Sequence, residues 1–332
     1  MAVKLWAELQ VRCFRVRKSM CMKNILITGG AGLIGSNTAD ALLARGTQVR
    51  VLDNFSSGQR TNLPTAALAS GQLCVMQGDV RDADAVDAAV QGMDAVLHLA
   101  AQVSVLRSVA EPVVSAGHNI TGFLYVADAV RRHKVPRLVY ASSAAVYGVP
   151  THLPLSEEAA TQPLSPYGLE KLVNDHYAEL FRTLYNVSSV GMRYFNVYGP
   201  RQDPTSPYAG VISKFAHGLQ TSTPLRVFGD GSQTRDFVYV GDVAQANVRA
   251  LETSVQGVLN VGTGHTVSLL QLIDTMAHAF DAAPEVRHEP SSSGDSTHSA
   301  TTTTRLKQAL AWQSSTALVD GLGALARSLH AG

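Results

Sequence analysis

The sequence predicts an α/β protein: a doubly wound parallel sheet with a smaller C-terminal lobe that is interleaved with it. Short β-rich runs alternate with helical patterns between residues 24 and 193, and a glycine-rich turn follows the first run. After about residue 195, proline and glycine become frequent and the alternation weakens. Strands that alternate with helices form βαβ units, whose right-handed crossovers bring the carboxyl ends of all strands to one edge of the sheet.

The β-rich runs predict the strands of this sheet, and helical patterns fill the gaps between them. The first helix is expected to run to Arg45, because Gly46 suits the position just after a helix end. Residues 236–240 and 259–262 read as strands that return to the main domain. The predicted strands of the sheet are residues 24–28, 48–52, 73–77, 95–99, 137–141 and 189–193.

The predicted organisation has three parts. Residues 1–22 form a basic N-terminal extension, which reads as a disordered tail or a start codon placed too early, with a transit-like peptide as the alternative. Residues 23–194, together with about 236–264, form the main domain. Residues 195–235 and 265–332 form the smaller lobe.

The composition is that of an ordinary globular protein, with 45% apolar and 16% charged residues in a chain of 332 residues. A net charge of +1 provides no basic surface for nucleic acid or an anionic membrane, so neither is expected as a partner. No apolar run reaches the ~20 residues of a membrane span. The cysteines share no metal-like spacing and the histidines form no zinc motif, so we expect reduced thiols, a cytoplasmic location and no metal.

The turn at residues 28–35 lies between the first strand and the first helix and predicts a dinucleotide phosphate site. Gly29 permits a sharp turn, Gly32 lets the backbone approach the pyrophosphate, and Gly35 lets helix and strand pack closely. The helix N-terminus adds free N–H groups and the positive end of its dipole. Asp53, at the end of the second strand, would bind the ribose hydroxyls and repel a 2′-phosphate. The main domain is therefore predicted to be an NAD-binding Rossmann domain.

Tyr167 and Lys171 form a second pattern, which predicts proton transfer. Ser165 can cap the helix that carries them, and the two residues lie one turn apart on one face of it. A phenol with a pKa of ~10 is a weak base at neutral pH, and we expect the ammonium of Lys171 to lower that pKa. Ser143, at the ligand edge of the fifth strand, can hold the reacting oxygen, whereas Ser142 reads as a strand-end cap.

Together these motifs resemble the extended short-chain dehydrogenase/reductase family, over nearly all of the chain from Lys23 to Leu322. Within that family, the chain is similar to the UDP-glucose and UDP-N-acetylglucosamine 4-epimerases, in the bacterial subgroup that carries residues 201–204 as Arg-Gln-Asp-Pro. Besides the glycine turn, Ser143, Tyr167 and Lys171, the resemblance is carried by residues 78–80 (GDV), 98–101 (HLAA), 193–200 (RYFNVYGP), 228–231 (FGDG) and 235–240 (RDFVYV).

The resemblance implies NAD-dependent 4-epimerisation of a UDP-hexose through a transient 4-keto sugar. Tyr167 takes the proton of the sugar 4-hydroxyl as hydride passes to NAD, Ser143 bonds that oxygen, and Lys171 holds the nicotinamide ribose. The keto sugar then turns over, and hydride returns to its opposite face. Dehydrating relatives carry an Asp-Glu pair after the serine or threonine, where this chain has Ala144 and Ala145, so elimination lacks its acid and base.

Two alternatives to this function stay open. Another nucleotide-sugar oxidoreductase or dehydratase of the same family would consume cofactor or release water, which an epimerase does not. A non-catalytic protein that senses NAD on the same fold would leave Tyr167 or Lys171 without a task.

By the same resemblance, further residues would surround the two ligands. Arg235 would grip the diphosphate, with a surface ion pair as its alternative role, and a loop cap is the alternative for Asp295. The residues that would line NAD are Gly29, Gly32, Leu33, Ile34, Gly35, Asp53, Asn54, Ser57, Gly58, Asp79, Val80, Leu99, Ala100, Ala101, Asn119, Tyr167, Lys171 and Phe195. Those that would hold the UDP-sugar are Ser143, Asn196, Val211, Arg226, Phe228, Arg235, Asp295 and Ser299.

One position departs from the family pattern. Relatives usually have an arginine two residues before the Gly-Asp pair at 294–295, and this chain has Ser292. The loss of one charge-assisted contact would weaken diphosphate binding by roughly 1.5–3 kcal/mol unless Arg235 or Arg305 compensates. It also leaves the identity of the nucleotide in the substrate undetermined. Ser299 stands where relatives restricted to non-acetylated sugars have a tyrosine, so N-acetylated UDP-hexoses are also expected as substrates.

Two helices, roughly residues 113–131 and 166–184, flank the predicted sheet. The resemblance implies a homodimer in which they pair with a second subunit as a four-helix bundle. Ile120, Phe123, Leu124, Leu180 and Phe181 would fill that contact or, alternatively, the core of the chain itself. The second helix is predicted to bury an apolar stripe that consists of Leu169, Leu172, Val173, Leu180, Phe181 and Leu184.

Overall fold

The computed structural model describes residues 22–203, 210–290 and 298–330. Residues 1–21 of the predicted extension lie outside these ranges, as do Ser292 and Asp295. The strands are β1 (Asn24–Thr28), β2 (Gln48–Asp53), β3 (Leu73–Gln77), β4 (Ala95–His98), β5 (Leu138–Ser143), β6 (Ser189–Tyr194), β7 (Asn196–Tyr198), β8 (Leu225–Phe228), β9 (Thr234–Arg235), β10 (Phe237–Tyr239), β11 (Gly257–Val261), β12 (Val267–Ser268) and β13 (Val286–Glu289). The α-helices are α1 (Leu33–Leu43), α2 (Thr65–Ser70), α3 (Ala83–Val90), α4 (Val105–Ala110), α5 (Pro112–Ala116), α6 (Gly122–Arg132), α7 (Pro166–Tyr185), α8 (Val211–Thr221), α9 (Val240–Glu252), α10 (Leu269–Ala279), α11 (Thr304–Leu310) and α12 (Leu318–His330).

Seven of the described strands form one parallel sheet, in the order β11-β6-β5-β4-β1-β2-β3. In this register Ile25 of β1 lies beside Val49 of β2 and Ala95 of β4. The chain moves outward from β1 to β3, returns to β4, and then continues outward on the other side. This reversal opens a crevice at the carboxyl ends of β1 and β4, where a doubly wound sheet binds its ligand. The predicted α/β fold class, with a parallel central sheet, is confirmed.

Helices cover both faces of the sheet, so its central strands are apolar without alternation, as NILIT in β1 and AVLH in β4. On one face, Leu42 of α1 and Val243 of α9 belong to the buried cluster. On the other face, Val86 of α3 and Phe123 of α6 do so. The sheet is therefore a rigid support for residues at its carboxyl edge.

The C-terminal part of the chain has an apolar cluster of its own, which includes Phe215, Val227, Met276 and Leu322. Its short strands pair outside the main sheet, β13 with β8 in parallel and β12 with β9 antiparallel. The chain crosses between the two parts, because α9 packs on α1 and β11 lies beside β6. Leu306 of α11 also packs on the main sheet. The division of the chain at the predicted domain boundaries stays a prediction.

Two elements differ from those expected. The helix expected at residues 113–131 is interrupted, because α5 ends at Ala116 and a π-helical turn, Gly117–Thr121, precedes α6. The run at 236–240 does not join the main sheet. Its strand β10 pairs instead with β7, which follows β6 directly.

The apolar stripe of α7 was expected to be buried, and this expectation was wrong for three of its six residues, whereas Leu172, Val173 and Phe181 are partly buried. Leu169, Leu180 and Leu184 are 52%, 50% and 65% exposed. The inward face of α7 is instead largely polar. Its buried residues are Gly168, Glu170, Lys171, Asn174, Asp175 and Ala178. An apolar stripe shows that a helix has a face to cover, and here the chain itself does not cover it.

Candidate active site

The glycine turn after β1 is tight against the neighbouring backbone. Gly29 has φ +69°, and a Cβ there would lie 2.7 Å from the amide nitrogen of Ala100. A Cβ on Gly35 would lie 2.3 Å from the carbonyl oxygen of Gly29. Both positions therefore require glycine, for conformation at Gly29 and for close packing at Gly35.

The N-terminus of α1 has the donors that a pyrophosphate needs. Its N-cap is Gly32, which makes no side-chain capping bond. The amides of Leu33 and Ile34 lie in the first turn, whose N–H groups have no partner inside the helix. A Cβ on Gly32 would approach only the carbonyl oxygen of Gly29, at 3.4 Å, so the turn is open on its outer side. These features fit the phosphates of a dinucleotide.

Asp53 is placed by two backbone bonds. Its Oδ2 accepts from the amide of Ala31 at 2.9 Å and its Oδ1 from the amide of Phe55 at 2.8 Å. Each carboxylate oxygen keeps a further lone pair for a ribose hydroxyl. Beside it, a Cβ on Gly58 would lie 2.8 Å from the carbonyl carbon of Ala31, so this loop is also close-packed, whereas Ser57 is exposed.

The Asn54 amide donates to Asp79 at 2.9 Å and joins the ends of β2 and β3. The side-chain bonds from Arg81 hold the pKa of Asp79 well below its usual range. Val80, next along the chain, is buried and packs against Gly122. The predicted residues after β2 and β3 therefore meet at one edge.

The segment after β4 is attached to β1. Thr28 Oγ1 lies 2.8 Å from His98 Nδ1 and accepts from the amide of Ala100 at 3.3 Å. Burial lowers the pKa of His98 to about 3, so its ring is neutral. Leu99 packs against the cluster on the sheet, and Ala101 follows at the same edge.

Asn119 was predicted to line the cofactor. Its side chain is buried and makes its hydrogen bonds with other residues of the protein. Its Oδ1 accepts from the amide of Gln102 at 2.8 Å, and its Nδ2 donates to the carbonyl of Gln102 at 2.9 Å. It therefore holds the loop that follows Ala101. Phe195 is likewise buried, in a small cluster with Val146 and Leu155.

The start of α7 positions Tyr167 as expected. Ser165 is the N-cap, with its hydroxyl accepting from the amide of Gly168 at 3.1 Å, and Pro166 occupies the first turn. The amide of Tyr167 donates to Ser108 Oγ of α4 at 3.1 Å. The tyrosine is thus held at the edge of the sheet by its own helix and by a neighbouring one.

Ser143, Tyr167 and Lys171 come together at the end of β5. The hydroxyl of Ser143 is close enough to the phenol of Tyr167 to act on it, and it lowers the pKa of that phenol. Since Ser143 Oγ already accepts from the amide of Ala145 at 3.1 Å, its own proton is available to the phenol oxygen. The Nζ of Lys171 donates to the carbonyl of Ala141 at 3.1 Å and lies 5.8 Å from the ring centroid of Tyr167.

The electrostatics of this group differ from the expectation. Burial raises the pKa of the Tyr167 phenol, which Ser143 opposes and the charge of Glu170 reinforces. The expected lowering by Lys171 is therefore not found in the protein alone. Burial also lowers the pKa of Lys171 to about 8, against the raising effects of Glu170 and Asp175. Desolvation is the largest effect on both groups because both are buried, and the ammonium donates its hydrogen bond to the carbonyl of Ala141.

The residues predicted to hold the sugar nucleotide lie along the C-terminal part. The backbone and side-chain nitrogens of Asn196 both donate to the carbonyl of Asp236, at 3.2 and 3.0 Å. Val211 begins α8, and Phe228, at the end of β8, is 46% exposed. Arg235 Nη1 donates to the carbonyl of Thr234 at 2.9 Å.

Two arginines considered for the diphosphate form ion pairs with carboxylates. Arg226 makes a bidentate pair with Glu289, with Nε–Oε1 at 2.5 Å and Nη2–Oε2 at 2.7 Å. Arg305 is paired with Glu158. Ser299, by contrast, is held by a backbone bond to the carbonyl of Thr234 at 3.0 Å, which places it next to Arg235.

Sequence reasoning missed Glu170. Its buried carboxylate accepts from Ser115 and Asn119 beside the Tyr167–Lys171 pair. The available signal was its position directly before the lysine, on a helix where a charged residue ordinarily faces solvent.

The part of the chain that the structure describes contains neither a membrane-spanning helix nor a metal site. No helix there is long and apolar enough to cross a membrane. No group of three or more His, Cys, Asp or Glu residues there is placed to hold a metal ion.

Comparison with known proteins adds independent information. A family model described as the NAD dependent epimerase/dehydratase family matches residues 25–262. The UDP-glucose 4-epimerase of Mycolicibacterium smegmatis is 39% identical over 300 residues, covering 90% of this chain and 95% of that protein. The UDP-N-acetylglucosamine 4-epimerase of Methanobrevibacter ruminantium, solved with UDP-N-acetylmuramic acid, has a TM-score of 0.90 at 34% identity, covering 94% and 99% of the two chains. The UDP-glucose 4-epimerase of Thermus thermophilus, solved with NAD, has a TM-score of 0.84 at 36% identity, covering 92% and 99%.

Proposed function

This chain belongs to the NAD dependent epimerase/dehydratase family, and on that premise we propose that it is a UDP-hexose 4-epimerase. It inverts C4 of UDP-glucose and UDP-galactose, and of their N-acetylated counterparts, through a transient 4-keto sugar. NAD is the cofactor, in agreement with the glycine turn and Asp53. The observation that carries the proposal is the convergence of Ser143, Tyr167 and the buried Lys171 at the end of β5, with Lys171 Nζ 5.8 Å from the ring centroid of Tyr167.

These side chains can move the proton that the reaction requires. Tyr167 Oη takes the proton of the 4-hydroxyl as C4 becomes a carbonyl carbon, and it returns that proton when the hydroxyl re-forms. Ser143 donates to the reacting oxygen and keeps it beside the phenol. Lys171 would hold the nicotinamide ribose when NAD is bound. What NAD supplies when bound is a reversible acceptor for the hydride of C4.

The residues after Ser143 argue against elimination of water. Ala144 and Ala145 begin a 3₁₀ turn, Ala144–Tyr147, at the carboxyl edge of β5. Neither side chain can transfer a proton, so nothing there serves C5 and C6 of a hexose. The dehydratase alternative is therefore disfavoured by the chemistry of these two positions.

Acceptance of N-acetylated sugars rests on Ser299. It is a small residue, partly buried, in the segment that runs beside Thr234 and Leu155. A serine leaves room there that a tyrosine ring would fill. The similarity to the Methanobrevibacter UDP-N-acetylglucosamine 4-epimerase supports the same extension of substrate range.

The diphosphate is proposed to be held by Arg235, since the family arginine is replaced by Ser292. Arg226 keeps a role in substrate binding only if it exchanges Glu289 for the ligand. The remaining proposed substrate contacts, Asn196, Val211, Phe228 and Ser299, lie on the C-terminal side of the sheet edge.

The proposed assembly is a cytoplasmic homodimer. Leu106, Val109 and Val113 of α4 and α5 are more than half exposed, as are Leu169 and Leu184 of α7. The helical segment of α5 and α6 contacts α7, and these helices of two copies would form an isologous four-helix contact. Of the residues first considered for it, Phe123 belongs to the core and Leu180 faces outward.

The test is turnover by the purified protein, with UDP-glucose and UDP-N-acetylglucosamine incubated separately. The expected products are the corresponding galacto sugars, identified by sugar NMR, with NAD retained on the protein and no net change in its redox state. Loss of water from the sugar, or net consumption of cofactor, would show that the protein is a dehydratase or an oxidoreductase of the same family and not an epimerase. Absence of any turnover by protein that holds NAD would favour the sensing alternative.

A further inference from the structure

The buried charges of α7 are compensated unequally. Asp175 is paired with Arg193, with Nη2–Oδ2 at 3.0 Å, and it accepts from the hydroxyl of Tyr140. Glu170 is 3% exposed, yet it makes no ion pair with any of the described residues. A buried carboxylate without a partner of opposite charge is costly, so its retention beside the active site requires a reason.

The contacts of Glu170 connect α7 to the wall of the cofactor cleft. Its Oε2 accepts from Ser115 Oγ at 2.8 Å and from Asn119 Nδ2 at 2.6 Å. Asn119 lies in the π-helical turn and holds both backbone groups of Gln102. Gln102 follows Ala101, so one carboxylate oxygen anchors the turn that shapes the edge after β4.

The charge of Glu170 also acts on the residues that move the proton. The carboxylates of Glu170 and Asp175 both raise the pKa of Lys171. The ring of His98, on which the charge of Lys171 acts, is neutral. Ser143 lowers the pKa of the Tyr167 phenol, and the negative charge of Glu170 raises it. Glu170 itself faces the neutral groups of Ser115 and Asn119. It thus stabilises the ammonium and the neutral phenol together.

We propose that Glu170 is a positioning residue of the active site, which anchors the cleft wall through Asn119 and sets the pH range in which Tyr167 and Lys171 act. This inference rests on the proposed epimerase function. It is distinct from proton transfer, because the carboxylate reaches the reaction only through its neighbours.

The substitution Glu170→Gln separates charge from shape. Both hydrogen bonds end on Oε2, and none from the described residues ends on Oε1. An amide oxygen can therefore accept both bonds, while the negative charge is removed. The measurement is the pH profile of kcat/KM for the NAD-loaded enzyme with the UDP-hexose that the wild type turns over.

Both limbs of the profile are expected to move to lower pH, by about one unit, in the variant. Loss of the carboxylate lowers the pKa of the phenol and that of the ammonium together, and the two limbs of the profile follow these two pKa values. The two profiles therefore cross: the variant is relatively more active below the wild-type optimum and relatively less active above it. A lesion of structure alone would lower the profile without moving its limbs.

Glu157→Gln is the matched control. This carboxylate is also buried, it accepts from the amide of Asn260 at 2.8 Å, and it is not among the charges that act on the pKa of Tyr167 or Lys171. Its limbs should stay in place. Glu170→Met provides a second variant without the charge if the glutamine protein does not fold. Unmoved limbs in a folded Glu170 variant would overturn the inference, whereas a wild type that binds NAD and turns over no UDP-hexose would overturn the proposed function and the inference with it.

Discussion

At the scale of single residues, the phenol of Tyr167 has the most direct task. Replacement of Tyr167 by Phe removes the group that takes the proton and should lower kcat about a thousandfold, within the range for a lost acid–base group. Sugar NMR of the epimerisation measures it. The matched control is Tyr185→Phe, on an exposed part of the same helix, which should leave turnover unchanged. Unimpaired inversion by the Tyr167 variant would remove the proposed mechanism.

Ser299 is the residue that we propose decides which sugar size is accepted. Ser299→Tyr should abolish turnover of UDP-N-acetylglucosamine while UDP-glucose is still epimerised, since the ring would occupy the space of the N-acetyl group. The ratio of kcat/KM for the two substrates measures this, with Ser299→Ala as the control that leaves the ratio unchanged. Equal loss on both substrates would refute the steric account.

His98 predicts a pH dependence of stability. Its pKa is about 3 in the folded protein against a usual 6.5, because burial disfavours the charged ring. Below pH 6.5 the unfolded chain therefore binds the proton first, and stability falls as pH falls from 6.5 toward 3. The part due to this residue is about 2 kcal/mol between pH 7 and pH 5.

Denaturant unfolding at both pH values should show that His98→Asn loses less stability on acidification than the wild type, by that amount. His278→Asn is the control, a histidine substitution at an exposed position of α10. Equal pH dependence in the wild type and the His98 variant would mean that the ring is protonated in the fold.

At the scale of elements, α7 shows why an amphipathic pattern alone misplaces a helix. Its leucines read as the buried face, but the side turned to the sheet carries Lys171 and Asp175. The polar face is tolerated because each buried charged group on it has a hydrogen-bond partner from elsewhere in the chain, such as Arg193 for Asp175 and Asn119 for Glu170. The periodicity of a sequence shows which residues share a face of a helix, whereas only the packing of neighbouring elements shows which face is turned inward.

Arg137 stabilises the end of another helix. It is buried, and its guanidinium donates to the carbonyl of Ala250, at the end of α9, from Nε at 3.0 Å and Nη2 at 2.8 Å, and to Val255 at 2.6 Å. Burial lowers its pKa to about 9. Arg137→Leu removes these bonds, leaves the carbonyl of Ala250 only the 3.3 Å bond from Thr253 Oγ1, and should lower the free energy of unfolding by about 3 kcal/mol.

Urea unfolding measures this loss, and Arg50→Leu is the matched control. The Nη1 of Arg50 donates to the carbonyl of Ala89 at 2.8 Å, near the end of α3, where the surroundings are more exposed. Water replaces the guanidinium there, so the cost should stay below about 1 kcal/mol. Equal losses in the two variants would show that burial of the carbonyls is not the cause.

At the scale of the whole molecule, the uncovered face of α4, α5 and α7 predicts the oligomeric state. Leu180→Arg places a charge in the proposed contact and should convert a dimer to a monomer in light scattering at micromolar concentration. Val319→Arg is the control, since Val319 is similarly exposed on α12 and lies outside that face. A wild-type monomer, or a dimer that survives the Leu180 change, would remove this arrangement.

Much of the NAD side of the molecule could be predicted because its signals are local. Gly29 and Gly35 are required by contacts between adjacent elements, and Asp53 follows from the end of one strand. The substrate side was predicted less well. Arg226 reads as a phosphate ligand in the sequence, but its strand lies beside the strand that carries Glu289, and the two pair. Which cation meets which carboxylate depends on strand order, and single-chain patterns do not contain it.

The sequence by itself determined the fold class and the cofactor, and it predicted the proton-transfer residues, because spacing along one turn or one strand is enough to indicate them. Only the tertiary structure decided how these residues are charged and held. Burial raises the pKa of Tyr167, and Glu170 joins Lys171 to the wall formed by Asn119. Desolvation and hydrogen bonding of this kind depend on neighbours that are distant in the chain, so they appear only when the chain is folded.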